Sequence, residues 1–153
     1  MGDESKEIGI NPEREQQPLK ILLVEDEMTI VPLIKRVLKE HNVTSFASAE
    51  EALDALRKGA LFDWVITDRG LAGEMDGFGL ADIIKNDELG HPFVTLLTAS
   101  ATAIEKDNSP AELKKKGIHQ LMGKPFDVKQ LKNSVNDARE FNKQSQVPQA
   151  SKI

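Results

Sequence analysis

Three short stretches of this chain are apolar along nearly their whole length, and they restrict its fold more than any other feature. They are residues 20–24, 62–68 and 93–97, each bounded by polar or turn-forming residues. A strand with one face in water alternates between apolar and polar residues, whereas a strand covered on both faces does not. Strands of the second kind are typical of parallel sheets that helices cover on both sides. The pattern therefore favours a parallel sheet.

Helical patterns separate these strands. Apolar residues recur at helical spacing after the first strand, and start signals stand before three later helices: Ser48 with Glu51, Ser109 with Pro110 and Glu112, and Asp127 with Gln130. Weaker strands are predicted at 43–47 and 120–122, whereas the polar stretch after Thr98 has no clear pattern. Five strands alternating with helices predict an α/β fold, a doubly wound five-stranded parallel sheet with helices on both faces.

The length of 153 residues suits one domain. Residues 1–18 and 142–153 are polar and without periodicity, so we expect flexible tails there and an ordered domain over 19–141. The short remainder after the last helix also leads us to expect no attached output domain.

Composition narrows the function classes. The net charge of −5 gives no basic footprint for nucleic acid, and no cysteine is present for disulfides or thiolate metal sites. No apolar run approaches the ~18 residues of a membrane span, and the acidic N-terminus lacks a signal-peptide pattern. We therefore expect a cytoplasmic protein that contacts neither nucleic acid nor membrane.

Polar residues follow four of the five strands: Glu25 and Asp26, Asp68, Thr98, and Lys124. The carboxyl ends of parallel strands share one sheet edge, so these side chains should converge. Each has a simpler explanation by itself. Asp68 could start a turn before Gly70, the acids after the first strand could begin a helix, Thr98 could be an ordinary strand residue and Lys124 a surface lysine.

Three carboxylates in one place repel each other unless they hold a proton or a cation. Oxygen ligands without histidine or cysteine favour Mg²⁺. A cation there would neutralise an incoming phosphoryl group. Asp68 could then act as a nucleophile and become an acyl phosphate, with Lys124 and the Thr98 hydroxyl binding phosphoryl oxygens.

These residues, in this order, resemble the receiver domain of bacterial two-component response regulators, in particular the stand-alone type found in chemotaxis. The resemblance covers roughly residues 19–141 and implies a flavodoxin-like receiver fold with strand order 2-1-3-4-5. It implies that Asp68 accepts phosphate from a phosphohistidine of a sensor histidine kinase or a histidine phosphotransfer protein. The chain would then be a signalling switch that binds an unknown downstream protein, and not an enzyme with a turnover substrate.

The resemblance also implies roles for the neighbours of Asp68. Asp26 would be the main carboxylate of the Mg²⁺ site, Glu25 would assist through water, and the carbonyl of Gly70 would complete the protein ligands. Thr98 would be the switch hydroxyl, and Ala99 the small residue that leaves room for the phosphate. Lys124 would bind the phosphate and precede a cis peptide bond to Pro125.

Departures from the family pattern leave alternatives open. Leu121 replaces the usual switch aromatic, and the segment between Thr98 and Lys124 is about four residues longer than usual. The loop after Asp68 has one extra residue and Ala72 where proline is common. A receiver that never takes phosphate and only binds a partner is one alternative. A Mg²⁺-dependent phosphohydrolase is another, although Gly70 stands where its second acid would be needed.

By the same resemblance, the partner surface consists of the helix at 110–116, the strand near Leu121 and the last helix. The segment after Thr98 is a further candidate for carrying the output, because Leu121 lacks the ring that the family uses.

Overall fold

The computed structural model describes residues 17–71 and 73–145. They form one five-stranded, fully parallel sheet with the strand order β2-β1-β3-β4-β5. The elements in chain order are β1 (Lys20–Val24), α1 (Ile30–Val37), β2 (Asn42–Phe46), α2 (Ala49–Arg57), β3 (Trp64–Asp68), α3 (Gly77–Asn86), β4 (Phe93–Thr98), α4 (Ala101–Asp107), α5 (Pro110–Lys115), β5 (Gln120–Gly123) and α6 (Val128–Ser145). The predicted fold class and the strand order that the resemblance implied are both confirmed.

Successive strand residues point to opposite faces of the sheet, and each face has its own apolar core. Leu22, Val65 and Leu96 lie in the core under α2 to α5, whereas Ile21, Ile66 and Leu97 lie in the core under α1 and α6. Both sets are almost inaccessible to water. The continuous apolar runs of the sequence are therefore explained, since every residue of β3 and β4 is buried.

The helix start signals are largely confirmed. The Ser109 hydroxyl accepts the Glu112 amide, and the Glu112 carboxylate accepts the Ser109 amide, which completes a capping box. The Ser48 hydroxyl likewise accepts the Glu51 amide, but it also donates to the Glu51 carboxylate, so the reciprocal backbone bond is replaced by a bond between side chains.

Two segments differ from the sequence prediction. The polar stretch after Thr98, which had no clear pattern, forms the seven-residue helix α4, and Ile104 is its buried residue. The last helix runs past residue 141 to Ser145, and the Asn142 side chain donates to the carbonyls of Asp63 and Ala138. Residues 1–16 and 146–153 of the expected tails, and Ala72, lie outside the described residues.

Two of the histidines have structural roles. The His41 ring nitrogen Nδ1 accepts the Leu19 amide, and the His119 Nδ1 accepts the Val94 amide. The His119 ring also packs against Phe93 and Phe141, with centroid distances of 5.8 and 4.4 Å. Burial, with a smaller effect of Lys114 and Lys85, lowers the pKa of His119 to about 4, so the ring is neutral near pH 7.

Trp64 is fully buried at the amino end of β3, and its indole nitrogen donates to the Thr95 hydroxyl over 2.9 Å. It belongs to the core under α1 and α6. Within residues 17–71 and 73–145, none of the helices combines the length and the apolar character that crossing a membrane requires.

Candidate phosphoacceptor and metal site

The carboxyl ends of β1, β3, β4 and β5 deliver the predicted site residues to one edge of the sheet. The register pairs Asp68 with Leu97 and Thr98 with Gly123, so β3, β4 and β5 end at the same level. The amide of Lys124 donates to the Thr98 carbonyl over 2.9 Å and extends this ladder by one residue. The parallel register of the sheet thus brings side chains from four distant stretches of sequence into one small region.

Three carboxylates meet at this edge, as predicted. Glu25, Asp26 and Asp68 each offer an oxygen, and these oxygens lie within 4.8 Å of one another. The Lys124 ammonium lies among them, 3.0 Å from Glu25 Oε1 and 3.1 Å from Asp68 Oδ1. The more exposed Glu27 carboxylate lies 4.0 Å from the same ammonium. One lysine therefore compensates the charge of several acids.

Glu25 is the most buried of these acids, with 1 % of its surface exposed. Its Oε2 accepts the Glu27 amide over 3.0 Å. Its Oε1 forms the ion pair with the Lys124 ammonium. Burial raises the pKa of Glu25, with a smaller contribution from the Asp68 charge, although the Lys124 ammonium and the Glu27 amide act against this rise.

Lys124 is held by its ion pairs. Burial by itself would lower the pKa of Lys124, but the carboxylates of Glu25 and Asp68 outweigh it, so the pKa is raised and the ammonium stays charged. The peptide bond from Lys124 to Pro125 is cis, as the resemblance implied.

The remaining predicted residues border this cluster. Thr98 is buried, and its hydroxyl oxygen accepts the Ser100 amide over 3.0 Å, which leaves its O–H available as a donor. Ala99 and Gly70 are exposed, and a Cβ built on Gly70 would meet no atom within 4 Å. Leu121 is partly buried and packs against the core under α2 to α5.

The donor set fits a hard divalent cation. All three groups are carboxylates, two of them are buried, and their oxygens lie within 4.8 Å of one another. Negative charges this close repel each other, and oxygen ligands of this kind are those that Mg²⁺ prefers. Bound there, Mg²⁺ would supply positive charge for phosphoryl oxygens.

The backbone around Asp68 is supported by contacts that the sequence did not reveal. The amide of Gly77 donates to the Arg69 carbonyl over 2.9 Å, and a Cβ on Gly77 would come within 2.4 Å of the Asp68 carbonyl oxygen. The Thr67 hydroxyl also donates to that carbonyl. The start of α3 therefore packs directly on the end of β3, where only glycine fits. The sequence signal for this contact is the glycine directly after Asp76, whose side chain caps α3.

A cleft of about 580 Å³ between α3 and α4 lies beside the site. Phe78 lines it, and the Arg69 and Lys116 side chains each lie 5.7 Å from its ring centroid. Arg69 directly follows Asp68, and Ser100, two residues after Thr98, also lines the cleft. The surface next to the site is thus shaped by the segment after Thr98.

A sequence profile for the family described as "Response regulator receiver domain" matches residues 21–136. This chain belongs to the response regulator receiver domain family. As a receiver domain, it is a signalling switch and a phosphoacceptor of the two-component type.

Relatives of this receiver domain include stand-alone proteins of similar length. The chemotaxis protein CheY of Pseudomonas aeruginosa is 33% identical over 121 residues, which are 76% of this chain and 93% of the relative. CheY-3 of Vibrio cholerae is 33% identical over 122 residues, 77% of this chain and 89% of the relative. The solved structure of CheY4 of Vibrio cholerae, 24% identical, has a TM-score of 0.68 and covers 79% of this chain and 98% of its own, which supports the fold.

Proposed function

We propose that this receiver accepts a phosphoryl group on Asp68 from the phosphohistidine of a sensor histidine kinase or a histidine phosphotransfer protein, in a Mg²⁺-dependent step. The observation that carries the proposal is the cluster of Glu25, Asp26 and Asp68 oxygens within 4.8 Å, with Lys124 among them. A carboxylate nucleophile beside a fixed ammonium and a cation site is the arrangement that phosphoryl transfer needs.

In the proposed step, a carboxylate oxygen of Asp68 attacks phosphorus and forms the new O–P bond. The P–N bond to the donor imidazole breaks, and the imidazole nitrogen keeps the electron pair and takes a proton from solvent. Lys124 keeps its charge and binds a phosphoryl oxygen, and the Thr98 O–H donates to another. Glu25, Asp26, Asp68 and the carbonyl of Gly70 would hold Mg²⁺, with Glu25 acting through water.

We propose that the phosphate is sensed through Thr98 and the segment that follows it. Ser100 is bonded to the Thr98 hydroxyl, so a Thr98 that turns toward the phosphate releases the start of α4. The small Ala99 leaves room for the phosphoryl group. The proposed partner surface comprises α5, β5 near Leu121 and α6, and the cleft under α4 extends it. This protein would act in the cytoplasm, where a kinase draws on ATP, through a receiver domain that includes residues 19–141.

Leu121 favours a second candidate function, a receiver that binds its partner without phosphorylation. An aliphatic residue that packs on the core stands here where the family pattern has a switch aromatic. Both candidates use the same partner surface but differ in whether Asp68 ever carries phosphate.

Intact-mass measurement with phosphoramidate as donor separates the candidates. In Mg²⁺ we expect the mass of one phosphoryl group to be added, and chelation of Mg²⁺ should prevent this. Asp68→Asn should remain unmodified. Asp63→Asn is the matched control, because Asp63 directly precedes β3 and its carboxylate accepts the Lys20 amide away from the site.

No added mass in the wild-type protein at saturating Mg²⁺ would contradict phosphorylation and favour the binding module. Continuous release of phosphate from many different phosphoesters would favour a phosphohydrolase.

A further inference from the structure

The carboxylate of Glu50, in the first turn of α2, contacts the loop that follows Asp68. Its Oε2 accepts the amide of Glu74 over 3.2 Å and the amide of Met75 over 3.1 Å. Glu50 is 18 residues before Asp68 in the sequence and belongs to a different helix. Two bonds to one oxygen therefore attach this loop to α2.

The loop has a shape that admits this carboxylate. Gly73 has φ +97°, which side chains other than glycine adopt only with strain. A Cβ at Gly73 would also lie 2.9 Å from Glu50 Oε1. Gly73 thus serves both the turn and the close approach of Glu50, and the two amides that follow it are directed at the same carboxylate.

The residues that follow Met75 connect this loop to the backbone of Asp68. Asp76 caps α3 by accepting the Gly79 amide over 2.9 Å, and Gly77 bonds to the Arg69 carbonyl and packs on the Asp68 carbonyl. Every link from Glu50 to the backbone of Asp68 is a hydrogen bond, a direct contact or a neighbouring peptide. Movement of residues 74–75 would accordingly move the support under the phosphoacceptor.

We propose that Glu50 is a positioning residue for the phosphorylation site, because it fixes the loop and the start of α3 on which the Asp68 backbone rests. This proposal rests on the proposed function for its consequence in signalling. Glu50 touches neither the carboxylate cluster nor Lys124 in the described contacts. Its effect is to arrange the site before Mg²⁺ arrives, so that binding costs less ordering of the loop.

The test compares four proteins: wild type, Glu50→Ala, Glu50→Gln and Glu51→Ala. Glutamine keeps an acceptor oxygen at the same reach and should preserve the contact, whereas alanine removes it. Glu51 lies in the same helical turn but bonds to Ser48, so Glu51→Ala is the matched control.

The first readout is the Mg²⁺ dissociation constant by calorimetry, and the second is hydrogen exchange of the Glu74 and Met75 amides by NMR. In Glu50→Ala we expect Mg²⁺ to bind about threefold to tenfold more weakly, and both amides to exchange faster. Glu50→Gln and Glu51→Ala should stay within about twofold of wild type. Saturating Mg²⁺ should restore the phosphorylation rate of Glu50→Ala, since the loss lies in ordering the site before binding.

A Glu50→Ala protein that loses thermal stability but binds Mg²⁺ as wild type does would overturn the proposal. An equal loss of Mg²⁺ affinity in Glu50→Gln and Glu50→Ala would also overturn it, because the negative charge of Glu50 and not its acceptor oxygen would then determine Mg²⁺ binding. The Mg²⁺ dissociation constant and the amide exchange rates do not depend on phosphorylation. A wild-type protein that binds Mg²⁺ but takes no phosphate would refute the proposed function and leave the positioning role of Glu50 to be decided by the same titrations.

Discussion

Asp26→Asn should stabilise the metal-free protein while weakening its response to Mg²⁺. The Asp26 carboxylate lies within 4.8 Å of the Glu25 and Asp68 carboxylates. At 4.8 Å and an effective dielectric constant of about 20, each like-charge pair costs about 3.5 kcal/mol before compensation and screening. The attraction of Lys124 and the partial exposure of Asp26 reduce the net effect, so we expect a gain of about 1 kcal/mol in the free energy of unfolding.

Mg²⁺ should reverse the order of stability of the two proteins. At tenfold excess over its dissociation constant, Mg²⁺ adds about 1.4 kcal/mol to the stability of the wild-type protein. Asp26→Asn should gain much less, since an amide is a poorer ligand than a carboxylate for a hard cation. The variant is thus expected to be the more stable protein in chelator and to lose that advantage in Mg²⁺.

Urea unfolding followed by the fluorescence of Trp64, which is buried in the core, gives both free energies. Asp82→Asn, on the exposed side of α3, is the matched control and should behave as wild type under both conditions. Two results would refute the repulsion among these carboxylates: an Asp26→Asn protein that is less stable than wild type in chelator, or one that gains as much stability from Mg²⁺ as wild type does.

Three further predictions concern single substitutions. The folded pKa of His119, about 4, lies below its unfolded value, so this residue stabilises the fold at pH 7 and loses that effect as the pH falls from about 6.5 toward 4. Discounted for partial exposure, the loss is about 1 kcal/mol between pH 7 and pH 5 in urea unfolding, and His119→Asn should remove this slope. Gly77→Ala should destabilise by about 1–3 kcal/mol through its clash with the backbone. A Cβ on Gly79 would instead meet side-chain atoms, of Met75 at 3.0 Å and of Asp76 at 3.5 Å, so Gly79→Ala should change the free energy of unfolding by less than about 1 kcal/mol. Lys124→Gln should cost about 1–3 kcal/mol in chelator, because it leaves the carboxylates without their cation, and Mg²⁺ should recover part of that loss in the same denaturation assay.

The sheet and the convergence of the site could be predicted because each depends on local pattern. Continuous apolar runs identify strands buried on both faces, and the carboxyl ends of parallel strands share an edge whatever the loops do. This reasoning led to Glu25, Asp26, Asp68, Thr98 and Lys124, which the structure brings together.

Other features depend on contacts between distant residues, and no local sequence pattern predicts them. Ile104 is the one large apolar residue of helix α4, and the start of the helix at Ser100 has no side-chain capping bond. The contact of Glu50 with the loop at 74–75 also escaped prediction, since a glutamate in a first helical turn is already explained by the helix dipole. The role of Gly77 depends on the packing of α3 against β3, which sequence spacing does not specify.

The central claim is that Asp68 carries the phosphate, and chemical trapping tests it most directly. Borohydride reduces an aspartyl phosphate to homoserine and leaves a free carboxylate unchanged, so peptide mass spectrometry after treatment with phosphoramidate and Mg²⁺ locates the modified residue. We expect homoserine at position 68 only, and none when Mg²⁺ is chelated. Homoserine at position 26 or 63, or an unmodified residue 68 in a protein that has gained phosphate, would contradict the account.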